Sequence, residues 1–393
     1  MQNTRQQPAS PVIQAPRLFF IDNIRWVMIL LVLSMHAAVT YSNQGGWYYC
    51  EKADLSRGTL LVFIFYQSFL QSFFMGLLFF IAGYFVPKAF DAKGPAIFLK
   101  DRAYRLGLPT LLYVFIIGPL TEYFISHSWH PDPVDRSFTR EYKYYITRLR
   151  FPGGTGPLWF CEALLIFCAV YALYRIIFKG RPVLRFGRAV PGNAAAIVFM
   201  IIMALSIFLV RIPFPKGYSF YNLQLCYFAG YLLFFMAGIA AYRGNWLQKI
   251  PRTMATPWAV AAFAGGIILW LLLLILGGAL NGNTDAYNGG LHLQSLGLAF
   301  WESMVGVGMS IFLLVLFRKK FNRQGRAAKF FSANAFAVYV FHPPILIGIA
   351  LMMGELHWHP LLKFILLTVL SFAASFVVSA ALLRKIPGLK KIL

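Results

Sequence analysis

The sequence predicts an all-α polytopic membrane protein of about ten transmembrane helices with both termini in the cytoplasm, and three observations predict it. Of 393 residues, 59% are hydrophobic and only 12% are charged, where a soluble domain carries about 25% charged residues. The mean hydropathy is +0.65, and apolar runs of about 17–25 residues, the length that crosses a bilayer, recur from end to end. Lys and Arg collect in alternate loops, the asymmetry of a multi-pass protein.

The first apolar run, 24–41, follows a polar, Pro-rich segment over 1–17 that reads as a disordered cytoplasmic tail. The run holds Arg25 and His36, which argues that it is retained and not cleaved as a signal peptide. Asp22 just ahead of it is placed to cap the helix, to orient Arg25, or both. The second run, 59–86, spaces Gly76 and Gly83 among phenylalanines, a pattern for close helix packing. The third, 106–126, is interrupted by Gly118-Pro119, which a bundle tolerates when neighbours satisfy the freed carbonyls.

The fourth run, 158–178, begins after Gly153-Gly-Thr-Gly-Pro157. The fifth and sixth, 193–211 and 223–241, are the shortest, and the seventh and eighth follow at 258–280 and 296–317. The ninth, 332–353, carries His342-Pro343-Pro344, where a kink is expected. The tenth, 361–383, leads to a short cytoplasmic tail over 386–393, so residues 18–385 form one membrane domain without an internal repeat.

Of the 36 Lys and Arg, 24 fall on the side of the termini and 9 in the opposite loops, which puts both termini in the cytoplasm. The same bias accounts for the net charge of +23 without nucleic acid, since there is no basic tail or aromatic-basic domain. Cys50, Cys161, Cys168 and Cys226 show no CxxC and no metal-ligand spacing. Neither a disulfide framework nor a metal site is expected.

Ionisable residues inside spans are costly and mark function. Arg25 and His36 stand eleven residues apart, about 1100° of helical turn, so they share one face roughly 16 Å apart along the axis. That suits an anionic donor held at one end and acyl chemistry at the other. Arg102 and Arg105, three apart on a helical face, have two readings: interfacial anchoring, or a grip on phosphates such as those of coenzyme A.

Glu162 just inside the fourth span is either a structural ion-pair partner or an acceptor-side carboxylate. Trp159 beside it is either a belt residue or a platform for a sugar ring. Trp301-Glu302 occupies the matching depth in the eighth span, and the two Trp/Glu pairs outline an outward-facing vestibule. His342 alone reads as a satisfied core histidine; at the depth of His36 it also reads as a second wall of a reactive cavity.

Phe20-Ile-Asp22-Asn-Ile-Arg25 with His36, Phe79-Phe-Ile-Ala-Gly83-Tyr-Phe85, Arg102-x-x-Arg105 with Pro109, Pro157-Leu-Trp159-Phe160 and Tyr339-Val-Phe-His342-Pro343 occur in that order. Together they resemble the acyltransferase type 3 family of integral membrane proteins over roughly 17–383, and look most like its glucan-biosynthesis protein C (glucan succinyltransferase) branch.

The resemblance implies transfer of a short acyl group from cytoplasmic acyl-CoA, acetyl-CoA or succinyl-CoA, to a hydroxyl of an extracytoplasmic glycan or glycolipid. It implies His36 as the catalytic residue, with Arg25, Arg102 and Arg105 serving the donor, in a bacterial inner membrane. His342 is a candidate oxyanion donor. Phe160-Cys161-Glu162 departs from the Ser-Val-Glu of many relatives, which bears on the acceptor role of Glu162. The competing expectation is a proton-coupled transporter or flippase of a glycan or lipid, with His36 and Glu302 as a proton relay.

Overall fold

The computed structural model describes residues 17–51, 54–129, 137–178 and 190–390. Residues 1–16 of the expected tail 1–17 and residues 391–393 of the expected tail 386–393, with His130, lie outside the described residues, as does the side chain of His127. The described chain is helical throughout, with no strand among the described residues. It is an all-α polytopic membrane protein, with nine helical runs long and apolar enough to cross a bilayer among the described residues.

Helix α1 spans Phe19–Ser42 and α2 spans Arg57–Arg102. A π-turn at Ala103–Gly107, α3 (Leu108–Leu112), a second π-turn at Tyr113–Ile117 and α4 (Gly118–Trp129) continue α2 without a gap. Then come α5 (Phe138–Thr147), α6 (Trp159–Ile177), α7 (Asn193–Arg211) and α8 (Phe228–Gly244). The short α9 (Trp246–Lys249) and α10 (Ala255–Val260) precede α11 (Gly266–Leu276). The chain closes with α12 (Leu293–Lys320), α13 (Arg326–Met352) and α14 (Pro360–Ala381).

The expected second and third spans fall inside one 69-residue run, Arg57–Ile125, which is why nine runs carry ten predicted segments. The run is broken at Gly94, whose φ of 71° only glycine adopts freely, directly before Pro95. Beyond it, Pro119 lacks the N–H that would bond the carbonyl of Phe115. The Tyr142 hydroxyl of α5 donates to that carbonyl instead, at 3.1 Å, and the Tyr145 hydroxyl donates to Val114 at 3.0 Å. A proline in a span is thus compensated from a neighbouring helix.

Small residues set the closest helix contact. A Cβ on Gly83 of α2 would strike the carbonyl oxygen of Phe235 on α8, and one on Gly238 of α8 would strike that of Phe80 on α2. Two backbones therefore meet with no side chain between them.

Hydrogen bonds also sort the loops into two sets. Asn23, near the start of α1, donates to the carbonyls of Phe321 at 2.7 Å and Arg323 at 3.0 Å in the α12–α13 turn. Arg318 reaches the carbonyl of Leu247 at 2.9 Å, and Asp91 of α2 pairs with Arg175 at 3.0 Å and Arg243 at 2.8 Å. These basic ends share one end of the bundle. At the other end, Lys363 at the start of α14 pairs with Glu51 of the α1–α2 loop at 2.7 Å. Asn222, after α7, donates to Thr155, ahead of α6, at 2.9 Å. The alternation that the charges predict is the alternation that the contacts make.

Candidate active site

Arg25 and His36 lie on the single unbroken helix α1. Asp22 does not cap it: the helix begins at Phe19, so Asp22 sits in the first turn, bonded to Arg17 at 2.7 Å and 3.6 Å from Arg25. Of its two expected roles, orienting Arg25 is the one the geometry keeps. The Arg25 guanidinium also lies over the Phe85 ring at 4.9 Å. Arg102 is near enough to repel it and itself lies over Phe98 at 5.2 Å, whereas Arg105 is exposed.

At the other end of α1, three rings stack. His36 lies 3.8 Å from Trp47, centroid to centroid and 13° from parallel, and 5.3 Å from His342 on α13. Trp47 and His342 are 6.2 Å apart and 10° from parallel. The ring of His36 therefore faces protein. Its Nδ1, the Nε2 of His342 and the Nε1 of Trp47 are all buried without a hydrogen-bond partner among the described residues.

The backbone explains the state of His342. Pro343 has no N–H for the carbonyl of Tyr339, four residues back, and the His342 Nδ1 stands 2.8 Å from that oxygen. A carbonyl only accepts, so Nδ1 carries the proton and Nε2 keeps its lone pair. Helix α13 runs through both prolines to Met352 without a break.

Trp47 comes from the loop after α1 and is missing from the sequence-derived set. Asn43, left-handed at φ 53°, ends α1, and Gly45 at φ +111° turns the chain back. The loop is then pinned. Gln67 donates to Ser42 at 3.0 Å, the amide of Glu51 donates to the carbonyl of Thr40 at 2.8 Å, and Glu51 pairs with the buried Lys363. The Tyr113 hydroxyl donates to that of Tyr48 at 3.0 Å, and burial pushes the Tyr48 phenol up to about 12, so it stays neutral. The signal available in sequence was Trp47-Tyr48-Tyr49, an aromatic run one loop from the histidine helix.

The remaining predicted residues separate into two places. Glu162 lies on the first turn of α6, with one carboxylate oxygen buried and unpartnered among the described residues. The turn ahead of α6 is tied to α13, because the Tyr339 hydroxyl donates to the carbonyl of Pro157. Trp159 stacks inward on Tyr231 of α8 at 5.6 Å.

Glu302 is locked between Arg211 at 2.5 Å and Lys216 at 2.8 Å. Trp301 is fully buried, and its Nε1 donates to the carbonyl of Gly266 at 2.6 Å. The structure thus brings His36 and His342 together and sets Arg25 beside Arg102. It gives Trp301 and Glu302 partners inside the bundle instead of an open vestibule. Arg211, the last residue of the predicted 193–211 run, is the fully buried end of α7.

What the fold and the clustered rings define is an integral membrane protein with two histidines and a tryptophan packed together between its helices. Its sequence goes one step further: residues 18–383 match the acyltransferase domain family Acyl_transf_3, and the chain belongs to that family. It is, at that level, a multi-pass membrane acyltransferase. Among curated proteins, none matches the chain.

Proposed function

We propose that this protein transfers a short acyl group from cytoplasmic acyl-CoA to a hydroxyl of an extracytoplasmic glycan or glycolipid in a bacterial inner membrane. The single observation that carries the reading is the His36 imidazole, its Nδ1 buried and without a hydrogen-bond partner among the described residues, stacked on Trp47 with His342 alongside and carried on the same helix as Arg25. The helical rise sets the two ends of that helix face roughly 16 Å apart. In this reading, acetyl-CoA or succinyl-CoA rests its phosphates on Arg25, Arg102 and Arg105, and its pantetheine arm runs toward His36.

His36 accepts the proton of the acceptor hydroxyl as its oxygen attacks the thioester carbon. The carbon–sulfur bond then breaks, and the imidazole returns the proton to the departing thiolate. General base catalysis of this kind supplies about 10²–10⁴-fold. The Nε2 lone pair of His342 gives the site a second proton acceptor, so a hydroxyl can be held from two sides. Glu162 and Trp159 serve the acceptor side, and a glucan of the kind modified by the glucan-biosynthesis protein C branch is the acceptor we favour.

The proton relay of the transporter reading loses support, because Glu302 is engaged by two cations and His36 by two rings. Mass spectrometry of envelope glycans from cells with and without the protein tests the proposal. Acetyl or succinyl groups on a glycan should disappear with the protein; an unchanged acylation pattern contradicts the reading.

A further inference from the structure

Acyl transfer places negative charge on the acyl oxygen, and a site that lowers the barrier holds a donor ready for it. On the reading of His36 given above, we infer that the indole N–H of Trp47 is that donor. In the three-ring stack, His342 has committed its only N–H to the carbonyl of Tyr339 and offers a lone pair, so it cannot serve while neutral. His36 must accept a proton, which leaves it unsuited to donate at the same moment. The indole Nε1 is a donor and nothing else. It is buried and without an acceptor among the described residues, and the ring that carries it stacks on the imidazole at 3.8 Å between centroids.

Buried donors without partners are rare and call for an explanation. The indole has one if an oxygen arrives only with substrate. Its setting is also that of a fixed group and not of a lid. The chain on both sides of Trp47 is held by Gln67 to Ser42, Thr40 to Glu51, Glu51 to Lys363 and Tyr113 to Tyr48. A donor held before the reaction need not reorganise during it, which is where such donors gain their effect.

In the step itself, the hydroxyl oxygen bonds to the acyl carbon and the carbonyl π pair moves onto the acyl oxygen, which accepts the indole N–H. The pair then returns, the carbon–sulfur bond breaks, and the proton held by His36 goes to the thiolate. Nothing beyond donor, acceptor and these residues is consumed.

The test replaces Trp47 by benzothienylalanine, which keeps the bicyclic ring and its stacking but puts sulfur where the N–H was, and in parallel makes Trp47→Phe. Thiol release from acetyl-CoA and succinyl-CoA by purified protein, and glycan acylation in cells, are both read. Loss of one such donor should lower kcat about 10²–10³-fold, with the donor KM unchanged and the isostere and Trp47→Phe falling together. Wild-type kcat in a folded isostere variant overturns the inference, as does a fall seen only in KM. Size-exclusion and thermal unfolding profiles of the isostere variant guard against a folding artefact. His36→Gln is run beside them: if it remains active, the His36 reading has failed, whatever Trp47 shows.

Discussion

His342 and Tyr339 are joined by a bond that a proline makes available: the imidazole Nδ1 lies 2.8 Å from a carbonyl that Pro343 cannot satisfy. The ring is thereby held in one tautomer and one orientation against His36. Pro343→Ala restores the missing N–H and should leave thermal stability unchanged or raised, since proline within a helix is costly. It also frees the ring, so kcat should fall about tenfold, equivalent to about 1.4 kcal/mol of barrier. Unchanged kcat in Pro343→Ala would separate this bond from catalysis.

The Lys363–Glu51 pair holds the loop that carries Trp47, and its lysine is 1% exposed. Lys363→Met strands a half-buried carboxylate and should cost about 3–5 kcal/mol, whereas Lys363→Met with Glu51→Gln should recover most of that loss. A double-mutant cycle from unfolding in detergent reads the coupling. Additive losses would mean that the pair does not hold the loop.

Glu302→Gln tests the vestibule expectation. With Arg211 at 2.5 Å and Lys216 at 2.8 Å, the carboxylate is a buried counter-charge to two cations. Its neutralisation should cost about 3–5 kcal/mol of stability and leave the acceptor KM of the folded fraction unchanged. A stable variant with a raised acceptor KM would return Glu302 to the acceptor side.

Removing charge at Arg102 and Arg105 separates donor binding from anchoring. Arg102→Gln and Arg105→Gln should each raise the acyl-CoA KM about tenfold, the scale of one charge-assisted contact, at constant kcat. Reduced membrane insertion with an unchanged KM would assign both to the interface.

The α2–α8 contact yields a purely structural prediction. A Cβ on Gly83 meets the backbone carbonyl of Phe235, which has no side-chain freedom with which to yield. Gly83→Ala should destabilise by about 1–3 kcal/mol, measured by thermal unfolding, with KM for the donor unaffected.

The fold was legible because crossing a bilayer is a constraint on local composition. The predicted 193–211 coincides with α7, and Gly83 announced its packing role by size alone. What composition cannot carry is a partner distant in sequence. Arg211 closes the predicted fifth run with no counter-charge nearby in sequence, and Glu302, 91 residues on, lies against it. Lys363 was an isolated intramembrane charge until Glu51 met it from a loop. His36 and His342 were readable as candidates because a membrane tolerates few ionisable groups. Trp47 was not, since a loop tryptophan at a membrane surface has an ordinary explanation, and only the fold lays it on the imidazole.

The most direct measurement is acyl transfer from radiolabelled acyl-CoA by purified His36→Gln and His36→Ala protein, with correct folding confirmed by thermal unfolding. Loss of transfer in both variants, with the acyl-CoA affinity retained through the arginines, is the predicted result. Transfer at the wild-type rate in either variant contradicts the account.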